Sequence, residues 1–149
     1  MRKARGFTLL ELIIVLLISV MAFGAVAYRT FSGDQSARIQ AAARDIASAL
    51  RYARGQALMS EVPVGVAVNL AENSYRISDQ DKIFRLPAEM SISLVVAEEE
   101  LSPGGEGAIE FFQDGSSTGG HITLQWGGLT RRIDVNWVTG EVKISDAAS

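Results

Sequence analysis

The sequence holds no cysteine, one histidine and three prolines among 149 residues. Without cysteine there is no disulfide framework, no thiolate metal site and no cysteine nucleophile. The single His121 leaves no basis for a multi-histidine metal centre. Three prolines against fourteen glycines exclude a collagen-like or proline-rich tract. Charge is scarcest near the start: from Phe7 to Tyr28 the only charged side chain is Glu11.

What is present fits one ordinary domain in length. At 48% hydrophobic and 21% charged residues the chain is too apolar to be disordered. Its charge is laid out in blocks. Arg2, Lys3 and Arg5 form a basic leader before the apolar segment. Residues 29–60 carry five basic and two acidic groups, a net +3. Residues 61–149 carry six basic and fourteen acidic groups, a net −8.

As a helix, residues 7–28 would span roughly 33 Å, enough to cross a bilayer core of ~30 Å. The leader arginines and lysine precede this segment, and nothing basic follows until Arg29. The positive-inside rule therefore places the N-terminus in the cytoplasm and everything after Tyr28 across the membrane. An ordinary secretory signal is the rival reading, with Ala25-Val26-Ala27 as its small-x-small site and cleavage after Ala27. Against it, the apolar stretch begins directly at Gly6-Phe7 and holds a carboxylate. A central carboxylate in lipid costs about 2.5–3.5 kcal/mol on insertion scales, and less near a helix end.

Gly6-Phe7-Thr8-Leu9-Leu10-Glu11-Leu12 resembles the type IV prepilin signature of pilins and type II secretion pseudopilins. A short basic leader, the Gly/Phe junction, a glutamate as the fifth residue beyond it and a long apolar helix are all there. The resemblance implies that a prepilin peptidase cuts between Gly6 and Phe7, that Phe7 is then N-methylated, and that the apolar helix stays on the mature chain. Glu11 then has a partner: the cationic amine of a neighbouring subunit's Phe7. Two buried charges that are each expensive alone become a pair, and the pair sets an assembly register.

The C-terminal half is similar to the GspH/FimT group of minor pseudopilins. Phe111-Phe112-Gln113-Asp114-Gly115-Ser116-Ser117-Thr118-Gly119-Gly120 carries that likeness. So does Asp134-Val135 followed by Thr139-Gly140-Glu141-Val142. Within it Phe111, Phe112, Asp114, Gly115, Thr118 and Gly119 are the signature positions. Residues 61–107 match only in strand-rich character. At Tyr28, major pilins carry a proline; here none precedes Pro63, which points to a minor subunit.

The rest reads as α+β. Ile39, Ala43, Ile46, Leu50, Ala53 and Ala57 form one apolar stripe at helical spacing over 36–60. Gly33-Asp34 is a place for a bend, and one long helix is expected across it. Arg38, Arg44, Arg51 and Arg54 lie off the stripe, as on a solvated face. After Glu61 the period becomes two: Val62, Val64, Val66 and Val68 alternate with Pro63, Gly65, Ala67 and Asn69. A turn at 71–74 leads into Tyr75-Arg76-Ile77. Further strands are expected at 83–86, 90–96, 108–112, 121–126, 129–135 and 141–144, with Gly127-Gly128 as a tight hairpin. Residues 97–107, with Glu98-Glu99-Glu100, read as an exposed acidic loop.

Gly115-Ser116-Ser117-Thr118-Gly119 formally matches a nucleophile elbow, but that motif needs a helix after it, and Ile122-Thr123-Leu124 reads as a strand. No catalytic residue, cofactor or metal site is expected; Asp114 alone falls short of the six or more oxygens a calcium ion takes.

The expected architecture is a pilin-like long N-terminal helix, its first half membrane-spanning, packed on an antiparallel head of two small sheets. Its parts are a cleaved leader (1–6), a transmembrane helix (7–28), a periplasmic half-helix (29–60) and a β-rich periplasmic head (61–149). The resemblance implies a minor pseudopilin of type II secretion at or near the pseudopilus tip, anchored in the inner membrane. Its implied partners are other pseudopilins and the prepilin peptidase, with exoprotein cargo or the outer-membrane channel as further candidates. The alternatives are a FimT-like type IV pilus minor pilin that captures DNA, and a secreted β-protein cleaved after Ala27. DNA capture needs clustered Lys and Arg, and the head offers only Arg131-Arg132 as an adjacent pair.

Overall fold

The computed structural model describes residues 8–96, 99–100 and 105–146, with side chains described for all of these except 25–33 and 99–100. Among the described residues one helix, α1 (Leu9–Ser60), precedes nine strands: β1 (Val64–Asn69), β2 (Ser74–Ile77), β3 (Ile83–Arg85), β4 (Ser91–Val96), β5 (Glu99–Glu100), β6 (Glu106–Phe111), β7 (Gly120–Trp126), β8 (Leu129–Val135) and β9 (Val142–Asp146). The chain forms two compact units, residues 1–36 and 37–149. The helix stays regular through Gly33-Asp34.

In the first unit, apolar side chains from Leu9 to Phe23 point outward all round the helix, with Leu9 77% and Phe23 80% exposed. A helix apolar on every side is one whose surface is covered by lipid or by other chains. Among the described residues no helix is long and apolar enough to cross a membrane. The expected span 7–28 begins before the described side chains and ends beyond them.

In the second unit the alanine-rich stripe lies against the sheets. Ile39, Ala43, Ile46, Leu50, Ala53 and Ala57 are all 0% exposed. Small side chains let the helix backbone come close, and the spacing keeps the stripe on one side. The helix stops where Glu61 takes a left-handed φ of 56°. Pro63 follows and cannot continue it.

Two antiparallel sheets make up the head, in orders β3-β2-β1-β6 and β5-β4-β7-β8-β9. In the first, Val64, Val66 and Val68 of β1 face the core, beside Tyr75 and Ile77 of β2 and Ile109 and Phe111 of β6. In the second, Leu94, Ile122, Leu124, Ile133, Val135 and Val142 face the same core. Tyr75 stacks on Phe84 with ring centroids 5.0 Å apart. Burial, together with the nearby Asp45 carboxylate, pushes the Tyr75 phenol up to about 12.

Three expectations need correction. Val62 lies outside β1 and is 59% exposed; Pro63 has no N–H to donate, so the ladder starts at Val64. The presumed loop 97–107 contains β5, where Glu99 and Glu100 pair with Val96 and Val95, and β6 already begins at Glu106. A two-residue strand of glutamates leaves no period and has low strand propensity. Glu98 and Pro103-Gly104 lie outside the described residues. The remaining strands fall where expected to within two residues, and β7 and β8 join through Gly127-Gly128, Trp126 pairing with Leu129. Only Gly127 of that loop has positive φ, 60°, as a type II′ turn requires of its first position.

Candidate functional site

The sequence points to two places, the start of α1 and, within the head, the junction of the β6–β7 and β8–β9 loops. At the first, Thr8 caps the helix. Glu11 N–H donates to the Thr8 carbonyl at 3.1 Å and to Thr8 Oγ1 at 3.3 Å. Thr8-Leu9-Leu10-Glu11 is thus a T-x-x-E start, with the threonine at N-cap and the glutamate in the first turn. The Glu11 side chain is exposed, beside the positive end of the helix dipole. Gly6 and Phe7 lie outside the described residues.

At the second place the structure joins the two halves of the C-terminal signature. The segment 112–119 links β6 to β7, and segment 136–141 links β8 to β9. Phe111 is fully buried and anchors the first loop; Phe112 is half-buried beside it. Asp114 turns that loop: its carboxylate accepts from Ser116 N–H at 3.0 Å and from Ser116 Oγ at 2.5 Å. These two hydrogen bonds hold its carboxyl below the usual carboxylate range. Thr118 closes back on β6: Glu110 N–H donates to Thr118 Oγ1 at 3.1 Å, and Thr118 N–H donates to the Glu110 carbonyl at 2.9 Å.

Ser117 then ties one loop to the other. Its N–H donates to the Trp137 carbonyl at 2.9 Å and its hydroxyl to the Asn136 carbonyl at 3.1 Å. The same hydroxyl accepts from Gly119 N–H at 3.0 Å. In the second loop the Asn136 side chain accepts from Val138 and Thr139 N–H at 2.9 and 3.0 Å. Two glycines let the loops touch. A Cβ on Gly119, φ 71°, would lie 2.8 Å from Trp137 Cβ. One on Gly140, φ 63°, would overlap the Gly115 carbonyl oxygen and sit 2.9 Å from Arg54 Nε. Gly115 itself lies under Leu58 of α1 with φ 84°.

Helix α1 reaches into the same knot. Arg51 donates to the Val142 carbonyl at 3.1 Å, and Arg54 Nε lies 3.5 Å from the Gly115 carbonyl. Both were expected on a solvated helix face. Arg51 keeps that exposure while its guanidinium reaches the Val142 carbonyl, and Arg54 is half-buried, drawn toward a loop carbonyl that needs a donor. Trp137, Asn136 and the two arginines carry the junction, yet no spacing in the sequence singled them out; only Gly140 hinted at a constrained turn.

Chemically, the junction is a structural clamp. Gly115–Gly119 is followed by strand β7, not a helix, and the Ser117 hydroxyl is spent on backbone groups. His121 packs against Arg132, 3.2 Å from its guanidinium, and Arg132 in turn grips Asp134 at 2.7 Å. Among the described residues no group of three or more His, Asp or Glu could hold a metal ion.

A capped, apolar helix that runs on into a head of two antiparallel sheets defines a pilin-like subunit. Solved structures share this fold. The minor pseudopilin EpsH of the type 2 secretion system of Vibrio cholerae matches with a TM-score of 0.59 at 12% identity, covering 75% of this chain and 99% of that one. The type IV minor pilin FimU of Pseudomonas aeruginosa matches with a TM-score of 0.58 at 12% identity, covering 77% and 93%. The prokaryotic N-terminal methylation motif matches residues 1–27. The family model described as type II transport protein GspH matches residues 42–140. Type II secretion system protein H of Xanthomonas campestris pv. campestris is 33% identical over 142 residues, 95% of this chain and 83% of that one. The chain belongs to the GspH family, the minor pseudopilins of type II secretion. That family is a structural component, not a catalytic one; its members interact with other pseudopilins, and the methylation motif implies an inner-membrane anchor with a periplasmic head.

Proposed function

We propose that the chain is processed between Gly6 and Phe7, N-methylated at Phe7 and built into a short pseudopilus at or near its tip, where it helps initiate or cap the filament that moves folded exoproteins outward. Residues 1–6 are the leader, 7–28 the inner-membrane helix with its N-terminus cytoplasmic, 29–60 the periplasmic half of the helix and 61–149 the head. Glu11 pairs with the Phe7 amine of a neighbouring subunit. The clamp at 111–120 and 136–141 keeps the head one rigid piece. The prepilin peptidase and the other pseudopilins are its partners, with exoprotein cargo and the outer-membrane channel as contacts of the assembled tip.

The observation that carries this reading is the pairing, in one chain, of a methylation motif over residues 1–27 with a GspH-type head over 42–140. A DNA-capturing pilin role gains nothing from the basic pair in the head. Arg131 is held by Gln40 at 2.8 Å and Asp146 at 2.9 Å, and Arg132 by Asp134 at 2.7 Å. Alternation along β8 also sends the two to opposite faces of the sheet, so they make no phosphate-binding stripe. The test is intact mass of the membrane-purified protein. A chain starting at Phe7 and carrying one methyl group is expected; a mature chain starting at Tyr28 would sink the reading.

A further inference from the structure

The outer face of the second sheet carries a row of polar side chains beside the loop junction. Ile122 and Ile133 point into the core, so alternation turns His121, Arg132 and Asp134 outward. Register sets His121 opposite Asp134, and Asp134 opposite Lys143, across β7, β8 and β9. The row is wired together. One Asp134 oxygen accepts from Arg132 Nε–H at 2.7 Å, the other from the Ser145 hydroxyl at 3.2 Å. A second Arg132 nitrogen donates to His121 Nδ1 at 3.2 Å, since a guanidinium only donates. Where the row meets the β8–β9 loop stands Trp137, 69% exposed. Its backbone is fixed: Ser117 N–H holds its carbonyl, and the Asn136 side chain accepts from the next two N–H groups. Trp137, Glu141 and the row line one open cavity of about 350 Å³, within the ~300–1,000 Å³ of small-ligand sites.

The lining selects the chemistry of the occupant. Each cation has its own anion: Arg132 pairs with Asp134, and Lys143 lies 3.3 Å from Glu141. These four charges cancel, so the cavity has no net pull on a phosphate, a metal ion or a charged chain. An apolar ligand fits no better, because it would strip water from the charges and gain only the indole. A neutral ligand with hydroxyls along its edge and C–H groups on its face fits both parts. Hydroxyls donate and accept, and the cavity offers ammonium and guanidinium donors beside carboxylate acceptors. The indole supplies an apolar plane for the C–H face. A pyranose sugar has this form, and a β-linked chain of them is an extended ribbon that can lie along a sheet face. We propose that the cavity between Trp137 and the His121–Asp134–Lys143 row binds a β-linked saccharide, one ring stacked on Trp137 and its hydroxyls bonded to Arg132, Glu141 and Lys143. The fixed loop and the wired side chains keep the entropy cost of binding low. The site lies wholly in the head and stands apart from processing and assembly.

The test is titration calorimetry on the full-length chain, purified in a detergent without a sugar headgroup. Chitotriose and cellotriose are the probes, the first standing for an N-acetylated glycan strand and the second for a plain glucan. Saturable heat in the millimolar range or below is expected from at least one, and which one binds tells the source. Raising the salt should leave it unchanged, as for a neutral ligand. Trp137→Ala should weaken binding by about tenfold or more. Lys143→Gln, at an exposed position, should weaken it several-fold. Both variants should keep the parental melting temperature, and Ile83→Ala, on the edge strand β3, should bind like the parent. No saturable heat from either saccharide would overturn the proposal, and so would parental affinity in Trp137→Ala. Salt-dependent binding of inorganic phosphate with neither saccharide bound would overturn it as well, marking an anion site. Should Trp137→Ala melt below the parent, Lys143→Gln decides: native melting with parental affinity overturns the proposal, and native melting with weakened binding upholds it.

Discussion

Gly140 is the residue on which the loop junction turns. Its φ of 63° lies in the left-handed region, and the Gly115 carbonyl occupies the space a Cβ would need. An alanine there must both hold a strained backbone and push a loop away, while Arg54 blocks the other side. Gly140→Ala should cost at least ~2 kcal/mol, read as a fall in denaturation midpoint, and Trp137 should lose its fixed environment in fluorescence. Gly128, with nothing near its Cβ position, is the comparison; Gly128→Ala should stay within about 1 kcal/mol of the parent. The contrast separates positions that a family signature shares for packing from glycines that merely punctuate. In sequence the two look alike, because φ and close approach are set by a loop more than twenty residues away. The Asp114 turn is different. It is local, two residues long, and an aspartate before Gly-Ser is readable as a turn on its own.

At the level of elements, period carried most of the information. The stripe from Ile39 to Ala57 is apolar every third or fourth residue, and all six of its members are fully buried. Leu50 sits at its middle. Leu50→Asp would place an unpaired charge between helix and sheets and should destabilise the head by roughly 3–5 kcal/mol. Denaturant unfolding and hydrogen exchange of the full chain check this; unchanged stability would mean the helix presents another face. Strands with a clear two-residue period were equally legible, down to the Gly127-Gly128 hairpin. What failed had no period to show. β5 is two glutamates, recognisable only once β4 lies beside it. Arg51 keeps the exposure usual for charges off an apolar stripe, whereas Arg54 is drawn in by a loop carbonyl that only tertiary structure supplies. The junction therefore could be read as two separate signatures but not as one clamp.

For the molecule as a whole, the outstanding question is what fixes its register among its neighbours, and Glu11 is the residue to test. In an isolated subunit this carboxylate stands on the first turn of an exposed, otherwise apolar helix, with its N–H capped by Thr8. There, near a membrane face, snorkelling and water keep its cost modest. In a filament the helices pack together and that water is lost. The carboxylate then needs a cation, and the Phe7 amine of the adjacent subunit is the one that the proposed cleavage after Gly6 would create. Removing one partner of a buried pair leaves the other charge uncompensated, which costs about 3–5 kcal/mol. Glu11→Ala should accordingly leave membrane insertion, cleavage and head stability intact while impairing co-purification with the other pseudopilins and secretion of a reporter exoprotein. Thr8→Ala is the companion variant: it removes the cap, at about 1 kcal/mol, but not the charge, and should assemble nearly as the parent does. Cleavage and methylation are scored on the same preparations, since a processing defect would imitate an assembly defect. A subunit at the tip has no neighbour above, so one of its two pairings is missing from the outset. The expected result is a partial loss of assembly with Glu11→Ala, and assembly and secretion at the parental level would remove the charge pair as the source of register in this subunit.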